Sequence, residues 1–477
     1  MTRVSIRIFA AIAAFSLLAA CGPDDSGRED AQDPPETAAP DDSAESGIRI
    51  DVSYQTLDNG LRVVMAPDST IPTVTVGVYY GIGFRIEPRD RTGFAHLFEH
   101  LMFQGSRHAE KGEFDKLING SGGVNNGSTR FDFTNYFEVV PSSALEPVLW
   151  IEADRMAFPD ITQEKLANQQ GVVANEVKVN VLNQPYGGFP WLDMPQYANE
   201  NWYNAHNFYG ALDDLEAATL EDARDFHDRY YAPNNAVLVI AGDFDPAKAT
   251  RWVEKYFGPI PQGDAITLPD ISEPRQEEEK TAAKTDPLAP RPALAFAYHM
   301  PERGTDEYYA MALLDQILIQ GEDSRLYQAL VKDKGYASGV EGGINLLGNM
   351  FNYDGPMLWT AAMIHGEEFT PEEIMTTVDG VVEGLRTEPV TEAELARART
   401  KLLSEFYGVV DSPTRFGLVD LLASFALFDD DPARINRIEG GFDNVTPALM
   451  LETAEEYLRP GNRTVLRIEP GAAQDQQ

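Results

Sequence analysis

Two of the seven histidines in this 477-residue sequence stand four residues apart in the segment Phe94-Ala-His-Leu-Phe-Glu-His100. On an α-helix, side chains at positions i and i+4 project from one face, so His96 and His100 can bind one divalent cation through their imidazole nitrogens. Glu99 lies beside that face and can take a proton from a water molecule activated by the cation. The pattern favours metal-dependent hydrolysis of peptide bonds. The alternative is a helix with two histidines and no metal.

Hydrophobic patterning indicates the elements that must position this motif. Alternating apolar residues predict strands over 61–67 and 73–81, ahead of the helix with the histidines. Further along, Thr219 begins a predicted helix, a Pro-Asn-Asn turn follows at 233–235, and the apolar run 236–242 predicts a buried strand. The motif therefore lies within a domain that mixes strands and helices.

The second part of the sequence repeats the first. Residues 446–469 match residues 219–242 without a gap, at an offset of 227 residues. The matched pairs include Thr446 with Thr219, Tyr457 with Tyr230, Pro460 with Pro233, Asn462 with Asn235 and Leu466 with Leu238. A second match aligns 96–105 with 312–321 and keeps a closing Gln-Gly pair, but Ala312 and Gln316 replace the two histidines. The chain is thus a duplication in which the first copy alone keeps the polar cluster.

Strands and helices interleave without the regular alternation of a parallel α/β fold, so we predict the α+β class. Each copy is expected to be an α/β sandwich, a mostly antiparallel sheet flanked by helices, and only the first to have an intact metal site. We place an N-terminal catalytic domain at 51–270 and a homologous C-terminal domain at 271–477. The junction is expected near 266–290, where prolines alternate with charged residues.

The His-x-x-Glu-His motif is that of the inverted zinc peptidases, and residues 54–470 resemble the pitrilysin/insulinase family, especially its short two-domain bacterial members. This resemblance implies a zinc metalloendopeptidase with one Zn²⁺ per chain and Glu99 as general base. The family's third metal ligand is a glutamate some 75 residues after the second histidine, and Glu176 lies 76 residues after His100. Val172 and Val173 precede it at helical spacing, so the helix is expected to pack its valines and direct Glu176 to the metal.

The resemblance also implies residues that guide the substrate. Residues 122–136 are similar to the family's strand at the edge of the cleft, where an extended peptide adds through main-chain hydrogen bonds. Asn126, Gly127 and Thr129 are the expected substrate-binding residues of this strand. A structural hairpin is the alternative interpretation. Many relatives have a second glutamate seven residues before the third ligand. Here Gln169 stands at that position, and it is expected to lie next to the metal ligands without binding the metal itself.

A second departure from the family concerns a substrate-gripping arginine and tyrosine in the second copy. Val331 and Ser338 stand at those two positions, and the nearby Arg325 and Tyr336 are out of register. We therefore expect a dimer, either with a homologous subunit that supplies the pair or between two identical chains. The alternative function is a non-catalytic assembly or binding subunit, because a fold does not dictate an activity.

Composition and the N-terminus restrict partners and location. The formal net charge of −38 argues against nucleic acid and anionic lipid as partners. The charge is interpreted either as a means of solubility or as a preference for cationic or neutral partners.

Residues 1–20 resemble a bacterial lipoprotein signal, and Cys21, the single cysteine of the sequence, is the expected lipidation site. Residues 21–50 are expected to form an acidic tether. We expect a periplasmic protein anchored by lipid, more specifically at the outer membrane. A plain signal peptide or an uncut anchor is the alternative.

Overall fold

The structure is a computed structural model that describes residues 49–471. The predicted signal segment, Cys21 and most of the predicted tether lie outside these residues. The first copy contains strands β1 (Ser53–Thr56), β2 (Arg62–Pro67), β3 (Thr73–Tyr80), β4 (Val124–Thr129), β5 (Thr134–Pro141) and β6 (Ala236–Gly242). Its helices are α1 (Phe94–Leu101), α2 (Glu113–Gly120), α3 (Leu145–Ala157), α4 (Gln163–Val177), α5 (Met194–Ala198), α6 (Trp202–Ala205), α7 (Leu212–Ala217), α8 (Leu220–Tyr230) and α9 (Pro246–Tyr256).

The second copy has the same mixture of elements. Its strands are β7 (Lys280–Asp286), β8 (Ala293–His299), β9 (Glu341–Ile344), β10 (Leu358–Ile364) and β11 (Arg463–Pro470). Its helices are α10 (Asp306–Leu318), α11 (Arg325–Tyr327), α12 (Pro371–Thr387), α13 (Glu392–Val410), α14 (Phe416–Asp429), α15 (Ile438–Asp443) and α16 (Pro447–Tyr457). Within residues 49–471, no helix combines the length and the apolar character needed to cross a membrane.

The two sheets have equivalent topologies. Within the described residues, the first has the order β1-β2-β6-β3-β5-β4 and the second the order β7-β11-β8-β10-β9. Each contains one parallel pair, β2 with β6 and β7 with β11, and the remaining neighbours are antiparallel. The predicted α+β fold with two homologous, mostly antiparallel domains is confirmed.

Matching hydrogen bonds show the duplication at the level of single residues. Thr219 and Thr446 are both N-cap residues, and each side chain accepts a hydrogen bond from a backbone amide three residues later. The side-chain amide of Asn235 donates to the Tyr230 carbonyl at 2.8 Å, and that of Asn462 donates to the Tyr457 carbonyl at 2.7 Å. The same polar side chains therefore close the same helix-to-strand turn in both copies.

Each copy contributes a helix to the other's sheet. Residues of β6 alternate between two cores: Leu238 packs among helices of the first copy, and Val239 joins the core that the second copy dominates. Helix α14 covers this second face, and the Tyr79 hydroxyl donates to Asp420 of α14 at 3.1 Å. In return, Met194 of α5 packs against the sheet of the second copy. Burial on both faces explains why these strands are apolar along their whole length.

A buried ion pair of the first copy is hydrogen-bonded to the second copy. The Arg85 side chain is fully buried, and its Nε lies 2.5 Å from Asp132 Oδ1. Arg85 also donates to the Pro356 carbonyl at 3.0 Å, and Asp132 accepts from the Asp354 amide at 2.9 Å. Both charges are thus satisfied across the junction, which restrains the loops on either side of it.

Candidate metal centre

Helix α1 presents the two histidines and is held at its N-terminus. The buried Glu87 carboxylate accepts hydrogen bonds from the Gly93 amide at 2.9 Å and from the Ala95 amide at 2.5 Å. Gly93 has φ +81°, and a Cβ there would lie 2.5 Å from the Tyr209 carbonyl oxygen, so this turn requires glycine. Buried Leu97 and Phe98 anchor the opposite side of the helix. The sequence thus determines both the start and the rotation of α1.

Helix α4 brings the distant glutamate to α1. It begins after Thr162, whose side chain accepts from the Lys165 amide, and it packs against α1. Val173 is fully buried, but Val172 is 42% exposed, so the expectation that both valines pack was wrong. Neighbouring helical positions lie about 100° apart, and the core covers only one of these two. Glu176, three positions after Val173, is turned toward the histidines.

His96, His100 and Glu176 converge with the spacing of a metal site. The two histidine Nε2 atoms lie 3.3 Å apart. Glu176 Oε2 lies 3.4 Å from His100 Nε2, and Oε1 lies 3.7 Å from His96 Nε2. Ligand atoms about 2.1 Å from a tetrahedral ion are about 3.4 Å apart, so the three side chains fit one zinc ion. Among the residues that the structure describes, these three form the cluster of His, Cys, Asp or Glu ligand atoms that meets this spacing.

The protonation of His96 and Glu176 fits a metal, whereas His100 favours its charged form until a cation displaces its proton. Burial lowers the pKa of His96 to about 4, so its imidazole is neutral at pH 7. A hydrogen bond from His100 lowers the pKa of Glu176, although burial acts in the opposite direction. Burial opposes a charge on His100 as well, but the hydrogen bond to Glu176 and the charge of Glu99 outweigh it and raise the pKa of His100. Neutral imidazole and ionised carboxylate are the forms that bind zinc.

Glu99 lies beside the three ligands and has its own partner. The Thr129 hydroxyl donates to Glu99 Oε2 at 2.7 Å, which leaves the other carboxylate oxygen directed away from that bond. Burial raises the pKa of Glu99, and the hydrogen bond from Thr129 opposes this shift. Thr129 is itself only 2% exposed. Its observed contact is therefore with the predicted general base, and not with an open groove.

The other predicted site residues occupy three different settings. Asn126 and Gly127 belong to β4, the last strand of the first sheet, whose outer edge has no neighbouring strand within the described residues. Asn126 is exposed, and its side-chain oxygen accepts from the Gly127 amide at 2.9 Å. Gln169 is 4% exposed, and its side-chain amide donates to the side-chain oxygen of Asn168 at 2.8 Å. The substrate-binding roles of Asn126, Gly127 and Thr129 stay predictions.

Sequence reasoning missed two aromatic residues of this site. The ring of Phe208 lies 4.8 Å from that of His96, and the Tyr209 hydroxyl lies 3.3 Å from Glu176 Oε1. Neither residue belongs to a spaced motif, and the long separation from α1 hides them. The one available signal is the aromatic pair directly before Gly210, in a segment without helical or strand periodicity.

Two family models match the chain. One, described as insulinase (peptidase family M16), matches residues 62–200, and the other, described as peptidase M16 inactive domain, matches residues 217–402. The chain belongs to the M16 peptidase family. The zinc protease PqqE of Helicobacter pylori is 27% identical to this M16 chain over 424 residues, which cover 87% of the chain and 92% of the relative. The predicted membership of the pitrilysin/insulinase family is confirmed.

Solved structures show the same M16 architecture. The crystal structure of a protease from Helicobacter pylori matches with a TM-score of 0.81 and 26% identity, over 88% of this chain and 100% of that chain. A Pseudomonas fluorescens structure described as a peptidase M16 inactive domain matches with a TM-score of 0.77 and 18% identity, over 89% and 99% of the two chains. At that identity the second match shows the fold alone.

The second copy of this M16 chain keeps an altered counterpart of the site. Helix α10 places Ala312 and Gln316 where α1 has its histidines, and Asp315 takes the position of Glu99. Helix α13 has Glu405 fourteen residues after its N-cap Thr391, as α4 has Glu176 fourteen residues after Thr162. The Gln316 amide donates to Glu405 at 3.2 Å, beside a cavity of about 440 Å³. The second copy thus has an acidic residue at both positions. Asp315 was already aligned with Glu99 in the sequence, whereas the correspondence of Glu405 with Glu176 was not recognised there.

Asp315 makes the stability of the fold depend on pH. It accepts from Trp359 Nε1 at 2.7 Å, and burial raises its pKa to about 7. Between pH 4 and 7 the unfolded chain loses this proton and the folded chain keeps it, so stability falls as pH rises. We expect the Asp315→Asn variant not to show this loss. The difference in the free energy of unfolding between the variant and the parent is expected to grow by about 2–4 kcal/mol from pH 4 to pH 7, since one pKa unit corresponds to about 1.4 kcal/mol.

Urea unfolding of the parent chain and of Asp315→Asn at several pH values between 4 and 8 measures this difference. The expected difference is small at pH 4, grows up to pH 7 and is constant above it. A difference independent of pH would show that Asp315 does not hold its proton in the folded state.

Proposed function

We propose that this M16 chain is a zinc-dependent metalloendopeptidase that hydrolyses peptides or unfolded protein segments. The observation that carries the proposal is the convergence of His96, His100 and Glu176 within metal-ligand distance, with Glu99 beside them. Zinc protease homologues of similar length support the same activity. A scaffold protein needs neither the three ligands nor a neighbouring glutamate.

Each residue of the site has a separate task in this proposal. His96, His100 and Glu176 would hold the zinc ion, and Glu99 would remove a proton from the attacking water. A bound zinc ion lowers the pKa of water to about 7 and polarises a peptide carbonyl. Thr129 keeps Glu99 in position through its hydrogen bond, so the carboxylate does not rotate away from the site. Glu99 later returns the proton to the amine that leaves.

An extended peptide is the substrate form that this site accepts best. Strand β4 contacts α1, and no strand of the described residues pairs with its outer edge. A peptide in extended conformation can pair with such an edge through its own main chain, without a fixed sequence. The net charge of −38 favours basic peptides over acidic ones.

We also propose that the active form is a dimer in which another subunit supplies the missing arginine and tyrosine. Arg325 and Tyr336, which lie near the two positions in the sequence, already have contacts within the second copy. Arg325 forms a two-pronged ion pair with Glu394 at 3.0 Å, and the Tyr336 ring packs against Phe369 while its hydroxyl lies 3.3 Å from that of Thr377. Donors on a homologous subunit would stabilise the charge that develops on the scissile carbonyl.

The proposed location is the periplasm, with a lipid anchor at Cys21 and the outer membrane as its site. The proposal rests on the lipoprotein-like segment at residues 18–21 and on the acidic sequence that follows it. A zinc endopeptidase on such a tether would meet unfolded or fragmentary proteins outside the cytoplasm.

A non-catalytic binding subunit is the second candidate function. Val331 and Ser338 at the positions of the substrate-gripping pair favour it, and a structural neighbour is described as an inactive domain. This alternative predicts that the chain binds peptides without cleaving them, whether or not zinc is supplied.

Hydrolysis of a fluorescently labelled disordered protein tests the function. The purified chain is expected to cleave this substrate slowly. A zinc chelator is expected to abolish the activity, and added zinc is expected to restore it. Absence of cleavage under all conditions would contradict the peptidase assignment.

The dimer is tested in the same assay by adding a Glu99→Gln/Val331→Arg/Ser338→Tyr chain, which restores the arginine and tyrosine but lacks the general base. Faster cleavage in the mixture supports the dimer, and an unchanged rate contradicts it.

A further inference from the structure

Tyr209 belongs to a segment that is fixed to the start of helix α1. The side chain of Asn207 accepts a hydrogen bond from the Tyr209 amide at 2.9 Å. Gly210 has φ +66°, and a Cβ there would lie 2.3 Å from the backbone of Thr92 and Gly93. The Ala211 amide donates to the Thr92 hydroxyl at 2.8 Å. The backbone of this segment therefore has little freedom to move relative to α1.

The Tyr209 side chain contacts two of the three metal ligands at once. Its ring meets the His96 ring edge-on, with centroids 5.3 Å apart and planes at 72°. Its hydroxyl lies 3.3 Å from Glu176 Oε1, where it donates to the carboxylate. Tyr209 is 6% exposed and packs with Val177 and Leu192. A buried ring on a fixed backbone gives the hydroxyl a defined position.

Both glutamates of the site accept a hydrogen bond from a hydroxyl outside the ligand motifs. Thr129 donates to Glu99, and Tyr209 donates to Glu176. Within the described residues, His96 Nδ1 has no hydrogen-bond partner, so on this side of the ring packing contributes to its orientation. Phe208 and Tyr209 supply that packing. Loss of the Tyr209 hydroxyl would leave the Glu176 carboxylate free to rotate away from the imidazoles.

We propose that Tyr209 is a positioning residue for the metal site, which orients Glu176 through its hydroxyl and His96 through its ring. The inference rests on the proposed zinc site, and it adds a residue outside the ligand motifs that sets metal affinity. Partners that orient metal ligands typically contribute 10–100-fold to affinity, and a hydrogen bond of 3.3 Å belongs near the lower limit. We therefore expect Tyr209→Phe, which keeps the ring, to weaken zinc binding about tenfold.

The test compares the full chain with Tyr209→Phe and with Tyr203→Phe, which removes a phenol from α6 outside the site. Zinc affinity is measured by competition with a chromogenic chelator, and the ligand geometry by the visible absorption of the Co²⁺-loaded proteins. Tyr209→Phe is expected to bind zinc about tenfold more weakly and to alter the Co²⁺ spectrum, whereas Tyr203→Phe matches the parent. Thermal unfolding without metal checks that the three proteins are equally folded.

Two results would overturn the inference. Equal zinc affinity of Tyr209→Phe and the parent would show that the hydroxyl does not orient Glu176. Equal affinity with peptide hydrolysis lowered more than about tenfold at saturating zinc would mean that the hydroxyl acts on the substrate instead. These results differ from failure of the proposed function: a chain that binds zinc in a Tyr209-dependent manner but cleaves no peptide would retain this inference and lose the peptidase assignment.

Discussion

Glu99→Gln is expected to lower the rate of peptide hydrolysis about 10²–10⁴-fold while zinc stays bound. Glutamine has nearly the same size and still accepts the hydrogen bond from Thr129, but it cannot remove a proton from water. The three ligand side chains are unchanged, so metal content is expected to equal that of the parent. Parallel measurement of the hydrolysis rate and of zinc per chain by atomic emission checks both statements.

Asp315→Asn is the matched control for this substitution. Asp315 takes the position of Glu99 on the equivalent helix of the second copy, and it too is a buried carboxylate. The same change of carboxylate to amide there is expected to leave hydrolysis unchanged at pH 7. An equal loss of activity in both variants would indicate a general effect on the fold, and full activity of Glu99→Gln would remove Glu99 from the mechanism.

His96→Ala combined with His100→Gln is expected to abolish zinc binding, to below about 0.1 ion per chain, and hydrolysis with it. These substitutions give α1 the residues that α10 has at Ala312 and Gln316. A single carboxylate cannot hold zinc against water at micromolar concentrations, because a catalytic site needs three protein ligands. Zinc analysis after gel filtration measures the loss.

The second copy shows that such a helix can still fold. Gln316 donates to Glu405 at 3.2 Å, and a glutamine at position 100 can reach Glu176 in the same manner. We therefore expect the double variant to unfold at a temperature close to that of the zinc-free parent. Retained stoichiometric zinc would contradict the assignment of His96 and His100 as ligands and place the metal elsewhere on the chain.

Local patterns carried most of the information about fold and motif. The apolar run 236–242 forms β6 as predicted, because a strand buried on both faces is recognisable from composition alone. The duplication was visible in the cap and turn residues, which act within a few residues of themselves. His96, Glu99 and His100 share one helix, so their proximity follows from helical periodicity. Glu176 was found through family resemblance, since 76 residues of chain separate it from His100.

The motif helix, the two-copy organisation and the strand at 236–242 could be predicted from the sequence, because they depend on propensities and periodicities of neighbouring residues. The structure was needed to show that Val172 is exposed, that Glu405 is the counterpart of Glu176, and that Tyr209 contacts both His96 and Glu176. Contacts between residues distant in sequence depend on how helices pack, and a difference of one helical position moves a side chain from the core to solvent. Packing α4 and residues 206–211 against α1 is what turned separate residues into one site.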